Sequence, residues 1–206
     1  MSIRDDTATS PMRRFDPVAL GLAEADAWVA YYRREWLKFL RSAVAMVRIG
    51  FALRFPRSIQ GAWYVLRGNQ LWAPFPDNDA AGAREQMRKF YALVARVHGT
   101  TFDVDEAATR EIAWWRAHRE LQHKEAYPEA TNEDLVAALA ALYAYVYDVS
   151  TDAVEPAAAA RAEAMAVSDA WVEAGRDPAS PDLEAERQAL VRGYSALRAV
   201  VGNPTA

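Results

Sequence analysis

The stretch Asp103–Glu125 reads DVDEAATREIAWWRAHRELQHKE. Asp103 followed by Glu106 has the D-x-x-E form of an N-terminal capping box, so a helix is expected to start near Val104. At about 100° per residue, Trp114, Trp115, His118 and Leu121 share one face of that helix. Glu111 falls on the same face, midway between the two tryptophans and seven residues before His118. That interval is two turns, roughly 10 Å along the axis. A carboxylate and an imidazole are therefore expected centrally on the buried face, where polar groups need partners. Glu120 and His123 form an E-x-x-H pair, the spacing that di-iron helices use. On the wheel this pair points sideways and outward with Arg116 and Arg119, and no second E-x-x-H accompanies it. Both residues are expected in solvent, with no metal site. The candidate site is Glu111 with His118, and the competing reading makes them an ordinary internal hydrogen-bonding pair.

Upstream, Pro17 to Gly50 reads as one long helix with Trp28, Tyr31, Tyr32, Phe39 and Met46 along one side and Glu35 at the centre of that stripe. If this helix faces the one that starts at Val104, Glu35 comes within reach of Glu111 and His118. Met1–Asp16 is polar, has no apolar core of a signal peptide, and is expected to be a flexible arm. Pro56 and Ser58 restart the chain into a short helix with Ile59, Trp63 and Leu66 inward, ending near Gly68. The following NQLWAPFPDND holds Trp72 and Phe75 in a proline-rich loop, expected either as a cavity wall or lid or as a strap across the core. Asn78 or Asp79 caps a helix running to Val97 and stopped by Gly99, with His98 at its C-terminal end where it suits the helix dipole.

Downstream of the central stretch, Thr131 caps a helix with Leu135, Leu139, Leu142 and Val146 inward, and another is expected from about Pro156 to Gly175. Ser180-Pro181 starts the last, which runs to Gly202. The reading is all-α, a single-domain bundle of about seven helices over residues 17–202, with no solenoid period.

Composition bounds the chemistry. The 206 residues contain no cysteine, which removes disulfides, thiolate nucleophiles and cysteine-bound zinc or iron–sulfur centres, and fits a cytoplasmic chain. A net charge of -4 gives no global attraction to nucleic acid. Between Ala27 and Pro76, however, eight basic residues accompany one acid, Glu35. The expectation is that this basic half packs against acidic segments elsewhere in the chain rather than on a membrane surface. The apolar run Ala43–Leu53 is interrupted by Arg48 and is too short to span a bilayer.

The segment MRKFYALVARVHG (Met87–Gly99), the acidic-capped helix with Trp114-Trp115, and the helix order from Asn132 to Gly175 resemble the rubber-oxygenase (latex-clearing-protein-like) superfamily. The resemblance covers residues 57–175. It implies an all-α fold, a b-type haem, and dioxygen-dependent cleavage of C–C double bonds or modification of a lipophilic substrate. The family's haem-ligating histidine falls where this chain has Val94, with His98 one turn on, and the family's Arg/Thr pair corresponds to Arg57 with Ser58. Haem ligation, if kept, moves to His98 or His118.

Two functional readings follow. In the first, the chain is an oxygenase-like enzyme acting on a lipophilic small molecule, with Glu111, His118 and Glu35 as its catalytic groups and His98, His118 and Arg57 as cofactor-binding residues. In the second, it is a non-catalytic helical module that binds a hydrophobic ligand or a partner protein. The sequence is compatible with oligomers of either.

Overall fold

The computed structural model describes residues 10–202, and every regular element among them is helical. A 3₁₀ turn, Pro11–Arg13, precedes α1 (Pro17–Tyr32), α2 (Trp36–Gly50), α3 (Arg57–Trp72) and α4 (Ala80–His98). The second half holds α5 (Val104–Gln122), α6 (Asn132–Tyr147), α7 (Thr151–Glu173) and α8 (Asp182–Val201). Each helix packs against its successor, and α8 returns to α1. Short connections between packed neighbours make successive helices antiparallel hairpins. The eight α-helices thus form a closed ring.

Local chemistry sets most of the boundaries. Asp103 accepts from the backbone N–H of Asp105 and Glu106, and Thr131 with Asp134 completes a reciprocal capping box. Gly99 ends α4 at φ 65°, a left-handed conformation that costs glycine nothing. α7 starts five residues before Pro156, because Ser150 caps it and the proline is carried inside the helix.

Three expectations need correction. The long helix from Pro17 to Gly50 is broken at Arg33–Glu35, with Arg34 at φ 59°. No glycine or proline marks the break, and its cause is tertiary. Folding α2 back onto α1 brings Trp36 edge-on to Tyr31 at 6.1 Å and places the Arg34 guanidinium over both rings at 5.7 Å. Next, α3 is a turn longer than expected, and of the three residues expected inward only Leu66 is buried. Ser58, Gly61, Ala62, Leu66 and Trp72 are buried, while Ile59 and Trp63 are exposed.

Finally, the arm is not free where it is described. Met12 and Phe15 are buried, Phe15 lies edge-on to Tyr194 at 6.1 Å, and Arg13 donates to the carbonyls of Tyr147 and Val201. The first nine positions of that arm lie outside the described residues.

Ring closure depends on close backbone approach at two glycines. A Cβ on Gly21 of α1 would sit 2.9 Å from the Val191 nitrogen of α8, and one on Gly193 would sit 3.1 Å from the Ala157 carbonyl of α7. Helix propensity alone favours alanine over glycine by about 1 kcal/mol. Gly21→Ala is therefore expected to lower the unfolding free energy by about 1–3 kcal/mol through overpacking, read by urea denaturation. A stabilised variant would show that α1 and α8 are not in contact there.

Candidate functional site

The ring surrounds a partly open cavity of about 210 Å³ to which every α-helix contributes side chains. Its body is apolar, with Leu20, Phe39, Met87, Phe90, Met165 and Leu197 among the walls. Besides Asn69 and Arg119, three polar clusters interrupt that lining.

The deepest joins α1 to α7. The Glu24 carboxylate accepts from Arg161 at 2.5 Å and from the Tyr194 hydroxyl at 2.5 Å. Arg161 also reaches the Tyr143 hydroxyl at 3.4 Å and lies 4.6 Å over the Trp114 ring. Burial alone would pull the guanidinium down, but the Glu24 carboxylate and the Tyr143 hydroxyl outweigh it and hold it above its ordinary value. Burial pushes the Tyr143 hydroxyl up to about 12, so it stays neutral. Glu24 stands in helical register with Leu20, Ala27 and Tyr31, and Arg161 with Val154, Ala158 and Met165. A charge in step with an apolar stripe is the signal; read on the sequence it pointed to Glu111, His118 and Glu35, and passed over Glu24 and Arg161.

The second group is Glu111. Its Oε2 accepts from Tyr91 at 2.6 Å and its Oε1 from Trp115 Nε1 at 3.1 Å. It lies deep in the ring with part of its surface turned to the cavity. Burial raises its pKa above the usual carboxylate range, although Tyr91, Arg161 and Trp115 oppose the shift. Tyr91, likewise buried and beside that carboxyl, is raised well above its ordinary value.

The third group is His118. Its Nε2 donates to Asp169 Oδ2 of α7 at 2.9 Å. Asp169 Oδ1 accepts from Gln122 at 2.6 Å and from Tyr32 at 3.3 Å. A carboxylate held by three donors fixes the imidazole in one orientation at the cavity wall.

The structure thus places Glu111 and His118 on one wall, as the wheel predicts, but each with its own partners and no hydrogen bond between them. Glu35 does not join them. It stands at the α1–α2 break with no capping hydrogen bond from its side chain, pairs with Lys38 at 2.7 Å and Arg33 at 3.3 Å, and is absent from the cavity lining. The Lys38 hydrogen bond, with help from Arg33, holds its carboxyl below the usual range. Glu120 and His123 belong to no cluster of metal-ligating side chains among the described residues. His123 is not simply solvated, since it stacks on Phe75 at 3.8 Å between ring centres, nearly parallel. Arg119 lies over Phe75 and Trp72, and Trp72 closes the end of α3 as a cavity wall rather than standing in a loop.

The residues do not fit a haem. His98 Nε2 donates to the Phe51 carbonyl at 2.7 Å, and the histidine lies outside the cavity lining. Arg57 is exposed and Ser58, though buried, does not line the cavity. His118 does line it, but its Nε2 is committed to Asp169. A space of about 210 Å³ is also smaller than the roughly 300–1,000 Å³ of drug-sized sites, and haem is bulkier than such ligands. Set against family models, curated proteins and solved structures, the chain matches none.

Behind the cavity, Glu186 of α8 is wholly buried and neither carboxyl oxygen has a hydrogen-bond partner among the described residues. Burial pushes it up to about 8; the nearby Ser168 hydroxyl, not in good hydrogen-bonding geometry, opposes the rise, and Glu24 adds to it. Between the unfolded carboxylate value of about 4.3 and that folded value, the folded chain holds a proton the unfolded chain has lost. Stability should therefore fall as pH rises through that window. Glu186→Gln removes the titration, so its stability relative to the native chain should grow by a few kcal/mol from pH 5 to pH 8. Urea midpoints for both proteins at the two pH values read the effect, and a pH-independent difference would contradict it.

Proposed function

We propose that the chain binds a compact lipophilic small molecule carrying one hydrogen-bonding group in the ring's central cavity. This takes residues 17–202 as one domain organised around that space. The observation that carries it is an apolar cavity lined by every helix and interrupted by Glu111 with Tyr91 and by His118. A cavity of about 150 Å³ already holds benzene, so about 210 Å³ suits a one- or two-ring aromatic or a short branched chain. Glu111, Tyr91 and His118 offer the polar groups that would orient it. The lipophilic substrate class implied by the rubber-oxygenase resemblance agrees with this choice.

A second reading, enzymatic, is favoured by the His118–Asp169 pair. An imidazole oriented by a carboxylate at the edge of a ligand cavity is the arrangement of a general acid or base. On this reading His118 moves a proton on the bound molecule.

Indole and 4-methylphenol are suitable probes. Near 100 times the dissociation constant, either should raise the thermal midpoint by about 5–10 °C. Ala43→Phe, which fills the cavity, should abolish the rise while leaving the circular dichroism helical. No shift with either probe, or the same shift in the filled variant, would sink the proposal. Binding retained in His118→Gln with loss of any turnover would support the enzymatic reading specifically.

A further inference from the structure

The outer surface of the α2–α3 hairpin carries charge and apolar bulk that the cavity does not use. Among the described residues, the eight cations between Ala27 and Pro76 have one acidic partner, Glu35, which takes Arg33 and Lys38. Arg41, Arg48, Arg54 and Arg57 are exposed and none is ion-paired among the described residues. Among the described residues, no ion pair joins this basic half to an acidic segment elsewhere in the chain. From Trp36 to Pro76 there is no acidic residue at all.

Large apolar side chains neighbour Arg54 and Arg57 along the chain. Phe55 is 77% exposed, Ile59 46% and Trp63 51%, spaced four apart from the α2–α3 turn along the outer face of α3. Burying such groups in water-excluding surroundings is favourable, and leaving three together in water is not the default of a soluble surface.

We propose that this flank docks on an anionic lipid surface. The arginines meet lipid phosphates, and Phe55, Ile59 and Trp63 enter the boundary between headgroups and acyl chains, where Trp and Phe beside basic residues are at home. The single sign of the exposed charge favours an extended anionic surface over a protein partner, whose rim would call for mixed charge. No helix among the described residues is long and apolar enough to cross a membrane, so the attachment is peripheral. The inference stands whether or not the cavity takes a ligand.

Co-sedimentation with phosphatidylcholine vesicles, with and without about one-third phosphatidylglycerol, tests it. The full chain should bind the mixed vesicles and not the pure ones, and should release as salt is raised. Each arginine neutralised weakens binding about fivefold, so Arg54→Gln with Arg57→Gln should cost about 25-fold. Phe55→Ser with Trp63→Ser should lose at least tenfold, while Arg192→Gln on α8 should change nothing. Circular dichroism verifies that these surface variants fold. Equal binding to both vesicles, no binding to either, or indifference to the variants would overturn the assignment. So would a dimer broken by Phe55→Ser with Trp63→Ser in the absence of vesicle binding, or capture by polyglutamate in place of vesicles.

Discussion

The buried pair of Glu24 and Arg161 holds the middle of this molecule together. With Tyr194, Tyr143 and the Trp114 ring it joins α1, α5, α6, α7 and α8 through one set of charged and aromatic contacts. A buried ion pair is weak evidence for net stability, since apolar replacements often do as well. Breaking one is different, because the surviving charge is left without a partner at a cost of about 3–5 kcal/mol. The pair therefore constrains which helices can be neighbours more than it strengthens any one contact. It also places charge on the wall of an otherwise apolar central cavity, and that wall cannot close into a uniform apolar core.

Apolar helices arranged in a ring ordinarily fill their own centre with side chains, since interiors pack like organic crystals. Here the walls stop short, and the remaining space is edged by the carboxyl of Glu111 and the imidazole of His118. Each is bound to partners on another helix, Tyr91 of α4 for the first and Asp169 of α7 for the second. Such groups are oriented before any ligand arrives, which lowers the cost of binding one. Glu186, buried without a partner behind the same region, shows that the fold tolerates unfavourable burial near the cavity. The molecule gives up stability where its interior polar groups gather.

The fold was legible wherever local chemistry decided it. Asp103, Thr131 and Gly99 set helix ends by hydrogen bonds or a left-handed turn, and those boundaries follow from residue type alone. The break at Arg33–Glu35 has no such mark. It comes from Tyr31 and Trp36 meeting across the turn, a contact between residues that a continuous helix would hold apart. The same failure carried Glu35 onto a stripe that does not exist and put it at the surface instead. The outward turn of Ile59 and Trp63 was hidden because α3 buries small residues, Gly61 and Ala62, against its neighbours. Within the site, Glu111 and His118 stood out by their tryptophan neighbours. Glu24 and Arg161 sat among alanines, and their register with Leu20 and Met165 was the only sign of burial.

Methionine methyl groups report on the cavity directly. Met46, Met87 and Met165 line it, whereas Met12 is buried away from it within the N-terminal 3₁₀ turn. In a spectrum of the carbon-13-labelled methionine methyls titrated with indole, the first three resonances should move together to saturation while that of Met12 stays fixed. Resonances that do not move, or a Met12 shift equal to the others, would contradict a ligand site at the centre of the ring.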